Sequence, residues 1–385
     1  MANDRLTDSF GEAAQPGRVS RRSFLRLLGT AAPLMAIGVA ESASGPHADV
    51  ARKHEAAAQA ARVPRVTAPP ELEASRLYRD AALYAALPPS DAITFSAPVI
   101  AANCPDPHVL NTDGVFYMVS TSHFLPAFPI RHSTDLVNWQ STGLHVFTRG
   151  NRPRWADDHF WAPELHRVGR HYVAYYTARS RATNRLCIGA AAARAPFGPY
   201  RDLGRPLISE ETTVLDATFF RDDDGRQYLY WKADAGPGDP SGPIYARELS
   251  ENGLKFIGET WEVARPDQPW EHSLIEGPAV IKRGGEYFLF YSGAAFDATS
   301  YAVGVARSNS PTSGFVKRGD PILKSGGRWR GPGHNSVVSH DGHDYIVFHA
   351  WEGVQYGNVR QGLIDQIRWE DDGWPAVSDG TPREV

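Results

Sequence analysis

Five short phrases recur along this chain, and each opens on a residue that could do chemistry or bind a ligand. They are DPHVLNTDGVFYMVST from Asp106, WAPELHRVGRHYVAYYTA from Trp161, DATFFRDDDGRQYLYWK from Asp216, EGPAVIKRGGEYFLFYSG from Glu276 and HNSVVSHDGHDYIVFHAW from His334. The aromatic just past each turn is Tyr117, Tyr172, Tyr228, Tyr287 and Tyr345, at spacings of 55, 56, 59 and 58 residues. Counting back from these tyrosines places Asp, Trp, Asp, Glu and His at one repeated start position. Asp216 requires a count of 12 where the others require 11, because its turn is one residue longer.

If the five copies are arranged about an axis, three carboxylates converge. Close carboxylates repel, so their pKa values split, which is how acid–base enzymes separate proton donor from acceptor. With an aromatic residue nearby, that chemistry is glycoside cleavage. Glu276, in the apolar run Leu274-Ile275-Glu276-Gly277-Pro278, suits the proton donor. Asp106, ahead of Pro107, suits the base, and Asp216 would raise and orient Glu276. Trp161 offers a flat face to a sugar ring.

The elements that must position these residues are short strands. Each unit of about 58 residues accommodates four of them, and a regular period of this kind marks a repeat architecture. Four-stranded sheets bury both faces when packed radially, which predicts an all-β, five-bladed β-propeller over residues 92–385. The period is longer than those of WD40 and kelch repeats. The last unit extends only about 40 residues past Tyr345, so a strand near Ile93–Ile100 is expected to complete it.

Composition fits this reading. Glycine and proline total 64 of 385 residues, aromatics are 11%, and the net charge of −4 gives no electrostatic reason to expect nucleic acid. Cys104 and Cys187 are the only cysteines, so no disulfide framework or cysteine-built zinc site is expected, and both read as buried thiols. Asp222-Asp223-Asp224-Gly225 lacks EF-hand spacing and reads as a hairpin turn, as do His340, His343 and Asp344 around Gly342. His54-Glu55 lacks the second histidine of a zincin motif, and Trp369 and Trp374 read as packing for the last blade.

Ser20-Arg21-Arg22-Ser23-Phe24-Leu25-Arg26, followed by the apolar run Leu27–Ala40, reads as a twin-arginine export signal within residues 1–44. The run is too short for a comfortable membrane span, so no stable insertion is expected after export. Residues 45–91, rich in alanine and proline, read as a partly helical linker. A secreted or periplasmic location follows.

The phrases CPDPHVL, FWAPELH, LDATFFRDDDGRQYLYW, IEGPAVI, GPGHNSVV and IRWEDDGWP resemble, in this order, those of glycoside hydrolase family 43. The resemblance implies a five-bladed propeller and single-displacement hydrolysis with inversion. It matches the family's base to Asp106, its tuning carboxylate to Asp216 and its acid to Glu276. It also matches a substrate-holding arginine to Arg360 and an axial histidine to His334. That histidine contacts a structural calcium or sodium through water in many members; no cofactor is implied for the chemistry. GPGHNSVV with Phe348-His349-Ala350-Trp351 is more similar to arabinan-acting members than to xylosidases. The implied substrate is therefore an α-L-arabinofuranosyl oligosaccharide or polysaccharide, with β-xylosides second. Invertase-like propellers are a weaker match at Pro105-Asp106-Pro107-His108, Arg221-Asp222-Asp223 and Glu276-Gly277. A carbohydrate-binding propeller without activity is the competing class, but it has no need of a proton donor.

Overall fold

A computed structural model describes Ile93, residues 95–353 and residues 359–384. The export signal and linker expected before residue 92 lie outside these residues. Within them are five four-stranded antiparallel sheets. The first blade is β1 (His108–Thr112), β2 (Val115–Val119), β3 (Ala127–Ser133) and β4 (Gln140–Phe147). The second is β5 (Trp161–Val168), β6 (His171–Arg179), β7 (Leu186–Ala193) and β8 (Arg201–Asp202). The third is β9 (Val214–Arg221), β10 (Gln227–Ala233), β11 (Ile244–Leu249) and β12 (Phe256–Ala264). The fourth is β13 (Ile275–Arg283), β14 (Glu286–Gly293), β15 (Ala302–Ser308) and β16 (Val316–Lys317). The fifth is β17 (Trp329–His340), β18 (His343–Glu352), β19 (Gln361–Trp369) and β20 (Pro375–Val377).

Each first strand touches the first strand of the next blade, and β17 touches β1, so the sheets form a closed ring. Five apolar layers fill the spaces between neighbouring blades. Because side chains alternate along a strand, one central strand serves two layers. In β6, Tyr172, Ala174 and Tyr176 face the first blade, while Val173 and Tyr175 face the third. Both faces of these strands are thus buried, which is why the second strand of each unit is so rich in aromatic and branched residues.

The expected N-terminal completion of the last blade is not what forms. The turn Asp371–Gly373 returns the chain so that β20 pairs with the far half of β19. The segment before Asp106 contributes one bridge, Ile100 to Gly362, on the half of β19 that β20 leaves open. Trp369 and Trp374 pack the layer between the fourth and fifth blades as expected. The Asp222–Gly225 segment is a hairpin turn, and buried Asp222 accepts hydrogen bonds from Lys282 and Tyr287 of the next blade, both at 2.6 Å. Cys104 and Cys187 are both buried free thiols.

Near the start of each innermost strand one residue is left-handed: Asp106 (φ 53°), Ala162 (φ 42°), Asp216 (φ 58°), Gly277 (φ 56°) and His334 (φ 47°). Each lies six residues before the residue that closes the first hairpin, namely Thr112, Val168, Asp222, Arg283 and His340. This corrects the alignment on tyrosines by one residue in two blades, where Ala162 and Gly277, not Trp161 and Glu276, occupy the repeated position. Tyr117 and Tyr172 share the layer between the first and second blades, and Tyr228 and Tyr287 share that between the third and fourth. Tyr172 and Tyr287 therefore face backward, one residue out of step with their counterparts.

Four of the five left-handed residues carry a Cβ, a conformation that costs on the order of 1 kcal/mol each. A repeated latch holds them. In four of the five blades the residue six positions past the start of the second strand receives the N–H of the next blade's left-handed residue. Thr121 Oγ1 takes Ala162 at 2.7 Å, Thr177 Oγ1 takes Asp216 at 3.0 Å and Ser292 Oγ takes His334 at 2.7 Å. His349 Nδ1 takes Asp106 at 3.1 Å, closing the circle.

Candidate active site

The left-handed turns gather Asp106, Asp216, Glu276 and His334 at one end of the channel. His334 Nδ1 stands 3.5 Å from Asp106 Oδ1 and 3.9 Å from Asp216 Oδ2. Burial alone would lower the pKa of His334. The charges of Asp106, Asp216, Glu276 and Glu164, in that order, reverse this and raise it. The imidazole is thus drawn toward its charged form between the carboxylates.

Asp106 is held at both carboxylate oxygens. Arg360 donates to its Oδ1 at 3.0 Å and Thr121 to its Oδ2 at 2.5 Å. Burial would raise its pKa, but Arg360 first, then His334 and His349, hold the carboxyl well below its ordinary value. His349 is fully buried, and its pKa falls to about 4, by burial first and Arg360 second. Neutral at physiological pH, it uses the Nδ1 lone pair for the Asp106 N–H.

Asp216 Oδ2 accepts the N–H of Gly277 at 3.1 Å. This is the one break in the latch, because the equivalent position of the third blade holds Lys232, which has no lone pair to offer. Its ammonium is fully buried and donates to the carbonyls of Ala233, Pro240 and Gly242 at 2.6–2.7 Å. The carboxylate of Asp216 takes the donor that Lys232 cannot, and so is fixed against the residue following Glu276. A Cβ on Gly277 would meet the His334 ring at 3.2 Å.

Glu276 is buried and receives the hydroxyl of Tyr301, the residue just before β15, at 3.0 Å. Tyr301 in turn stacks on His349, with ring centroids 5.9 Å apart and planes at 11°. Burial, and then the charge of Glu276, raise the pKa of Tyr301 well above its ordinary value, so it remains a donor. Sequence reasoning missed Tyr301 because it stands at the entry to a third strand, outside the repeated phrase.

Trp161 stands at the rim, where its Nε1 donates to His123 Nδ1 at 2.9 Å. The rings of His123, His159 and Trp161 form one cluster, and Phe124, 60% exposed, packs edge-on against His123. The guanidinium of Arg360 lies over the Phe296 ring at 5.1 Å.

A second group, His108, Glu164 and His166, brings three donor atoms within 4.8 Å of one another. Its hydrogen bonds oppose a metal reading. Leu165 N–H points at His108 Nδ1 at 3.2 Å, so the proton of that neutral ring sits on Nε2, the atom facing Glu164. Burial lowers the pKa of both histidines to about 3 and raises that of Glu164. Glu164 Oε2 is instead an acceptor, for His166 Nε2 at 2.7 Å and for the N–H of Phe219 at 3.3 Å.

The family model for glycosyl hydrolases family 43 covers residues 95–375. This chain belongs to that family. It is a glycoside hydrolase acting on O-glycosyl bonds. It is 28% identical over 328 residues to an extracellular exo-α-(1→5)-L-arabinofuranosidase of Streptomyces avermitilis, covering 77% of this chain and 66% of that protein, slightly under two thirds of its length. An enzyme of the same description from Cellvibrio japonicus is 27% identical over 323 residues, with 71% and 86% covered. A xylosidase/arabinosidase of Butyrivibrio fibrisolvens is 26% identical over 310 residues, with 74% and 57% covered. Among solved structures, a thermostable family-43 glycoside hydrolase superposes with a TM-score of 0.69 at 28% identity, covering 76% of this chain and 97% of that one.

Proposed function

We propose that this family 43 member is an exported, inverting glycosidase that cleaves α-L-arabinofuranosyl linkages. The observation that carries the chemistry is the meeting of Asp106, Asp216 and Glu276 around His334. Asp106, kept ionised by Arg360, takes a proton from water, which attacks the anomeric carbon from the face opposite the leaving group. Glu276 gives its proton to the glycosidic oxygen as that bond breaks. One water is consumed, and the new hydroxyl appears with inverted configuration. Tyr301 donates to Oε1 of Glu276 and orients its carboxyl. Asp216 disfavours the charged form of Glu276 by like-charge repulsion and holds its backbone in place. Arg360 and Trp161, both reachable from the mouth, are assigned to substrate, the first to hydroxyls and the second to the sugar face. His334 lies beneath the reacting sugar.

The relatives' names support the sugar, and the twin arginine at Arg21-Arg22, with the extracellular description of both arabinofuranosidases, supports export. In this reading residues 1–44 are the signal, 45–91 the linker and 92–385 the catalytic domain. Among the described residues no helix is long and apolar enough to cross a membrane. The chemistry is assigned entirely to side chains. His334 would hold a calcium or sodium on the axis through water, and such an ion would add positive charge near the carboxylates. The Butyrivibrio relative supports β-xyloside cleavage as the second reading.

A panel of aryl α-L-arabinofuranoside, aryl β-xyloside and linear arabinan tests the assignment. Release from the arabinosides is expected, with the first-formed anomer inverted by NMR. Sugar binding with no release from any member of the panel would overturn it.

A further inference from the structure

The second blade is electrically unlike the rest of the molecule. Residues 149–205 contain eleven arginines, no lysine and four carboxylates, a net of +7 in a chain whose total is −4. The loop Thr148–Phe160 leads into Trp161, and β6 ends beside it, since Trp161 pairs with Thr177. Arg149, Arg152, Arg154, Arg179, Arg181 and Arg185 all lie on these two connections, at the same end of the blade as Trp161. Arg179 pairs with Asp158 and Arg181 with Asp157. Among the described residues, no carboxylate pairs with Arg149, Arg152, Arg154 or Arg185, and all four are exposed. Arg149, Gly150, Arg152, Arg154 and Arg181 line a surface depression of about 480 Å³.

A group of unpaired exposed arginines around a depression does not stabilise the fold, because like charges held together repel, and its field attracts anions. The choice of arginine throughout favours planar oxyanions gripped by two parallel N–H donors. The connection that carries Arg149, Arg152 and Arg154 runs on into Trp161, which puts the depression and the aromatic rim of the candidate active site at one end of the same blade. We propose that the depression is an accessory site for carboxylate groups of a uronate-bearing polysaccharide, tethering an acidic glycan whose neutral arabinose branches reach Trp161. The ligand class rests on the glycosidase reading above; the anion site itself does not.

The test uses the mature secreted protein and a triple variant, Arg149→Gln/Arg152→Gln/Arg154→Gln. Electrophoresis through gels containing polygalacturonate is expected to retard the wild type, with an apparent Kd at least about tenfold weaker in the variant. Raising the salt concentration should erase the difference, because exposed charges are screened. Retardation by linear arabinan and turnover of aryl α-L-arabinofuranoside should be the same in both proteins. Turnover failing in both would discard the arabinosidase reading while leaving the anion result standing. Equal retardation of wild type and variant by polygalacturonate would overturn the site. So would equal wild-type affinity for dextran sulfate or RNA of matched charge density, since that is unselective attraction to polyanions.

Discussion

Asp216, in the third blade, accepts the backbone N–H of Gly277, in the fourth, at 3.1 Å. The other four blades meet this need with a hydroxyl or an imidazole on the second strand, and only here does a carboxylate do so. The arrangement joins two tasks in one side chain: its charge acts on Glu276, and its oxygen fixes the adjoining peptide. Asn and Ala replacements should therefore separate. Asp216→Asn keeps an acceptor for Gly277 and loses the charge. Its thermal midpoint is expected near that of the wild type, with kcat reduced and the alkaline limb of the pH profile moved to lower pH. Asp216→Ala loses both, adding about 1–3 kcal/mol of instability for the unsatisfied N–H. Identical melting of the two variants would disprove the positional half of the assignment.

Tyr301 makes a different demand on Glu276. Its hydrogen bond favours the ionised carboxylate, so Tyr301→Phe should raise the pKa of the acid. The alkaline limb of kcat/KM on aryl arabinosides then moves to higher pH, opposite in sign to Asp216→Asn. A purely structural tyrosine would lower activity at every pH without moving the limb.

Leaving groups distinguish acid from base. With a nitrophenolate leaving group no proton is required, so Glu276→Ala should recover much of its kcat when the substrate changes from a linked arabinose to an activated aryl arabinoside. Asp106→Ala should remain slow on both, because water still lacks its base. Equal losses on the two substrates would exchange or dissolve the roles.

Acid should unfold the propeller through its buried histidines. His108 and His166 fall to about 3 and His349 to about 4, all chiefly by burial. Between these values and the unfolded value near 6.5, the unfolded chain binds protons that the native chain refuses. Stability therefore rises with pH across this window and is lost as pH falls through it, by about 1.4 kcal/mol per pH unit for each histidine. Glu164, raised by burial, works in the opposite sense but offsets only one proton of three. Asp106, held low, loses its contribution only as pH falls below the ordinary carboxylate range. Urea midpoints from pH 7 to pH 4 should fall steeply, and His166→Gln should flatten the slope.

Five blades, their order and the gathering of the carboxylates were legible because the aromatic after each hairpin recurs at a nearly fixed period. Its face was not legible. Tyr172 and Tyr287 point to the preceding blade, so counting from them shifted two start positions by one, onto Trp161 and Glu276. Counting from the hairpin, six residues in each blade, finds Ala162 and Gly277. The same count along the second strand finds Thr121, Thr177, Lys232, Ser292 and His349, a pattern visible in the sequence once the correct ruler is used. Tyr301 had no such ruler, since it reaches Glu276 from the entry to β15, and strand order alone does not say which residue there turns inward. The completion of the last blade was misjudged because a three-residue strand after Gly373 leaves little periodicity to read.

Each blade, the fifth included, is assembled from one continuous stretch of chain, so a ribosome delivers finished sheets one at a time. The site obeys another schedule. Asp106 is delivered with the first blade, whereas its partners His334, His349 and Arg360 arrive with the last. In the proposed mechanism a chain that lacks the fifth blade has Asp106 without the groups that hold it ionised, so hydrolysis requires the two ends of the ring to meet. On that assignment, activity reports that the circle has closed.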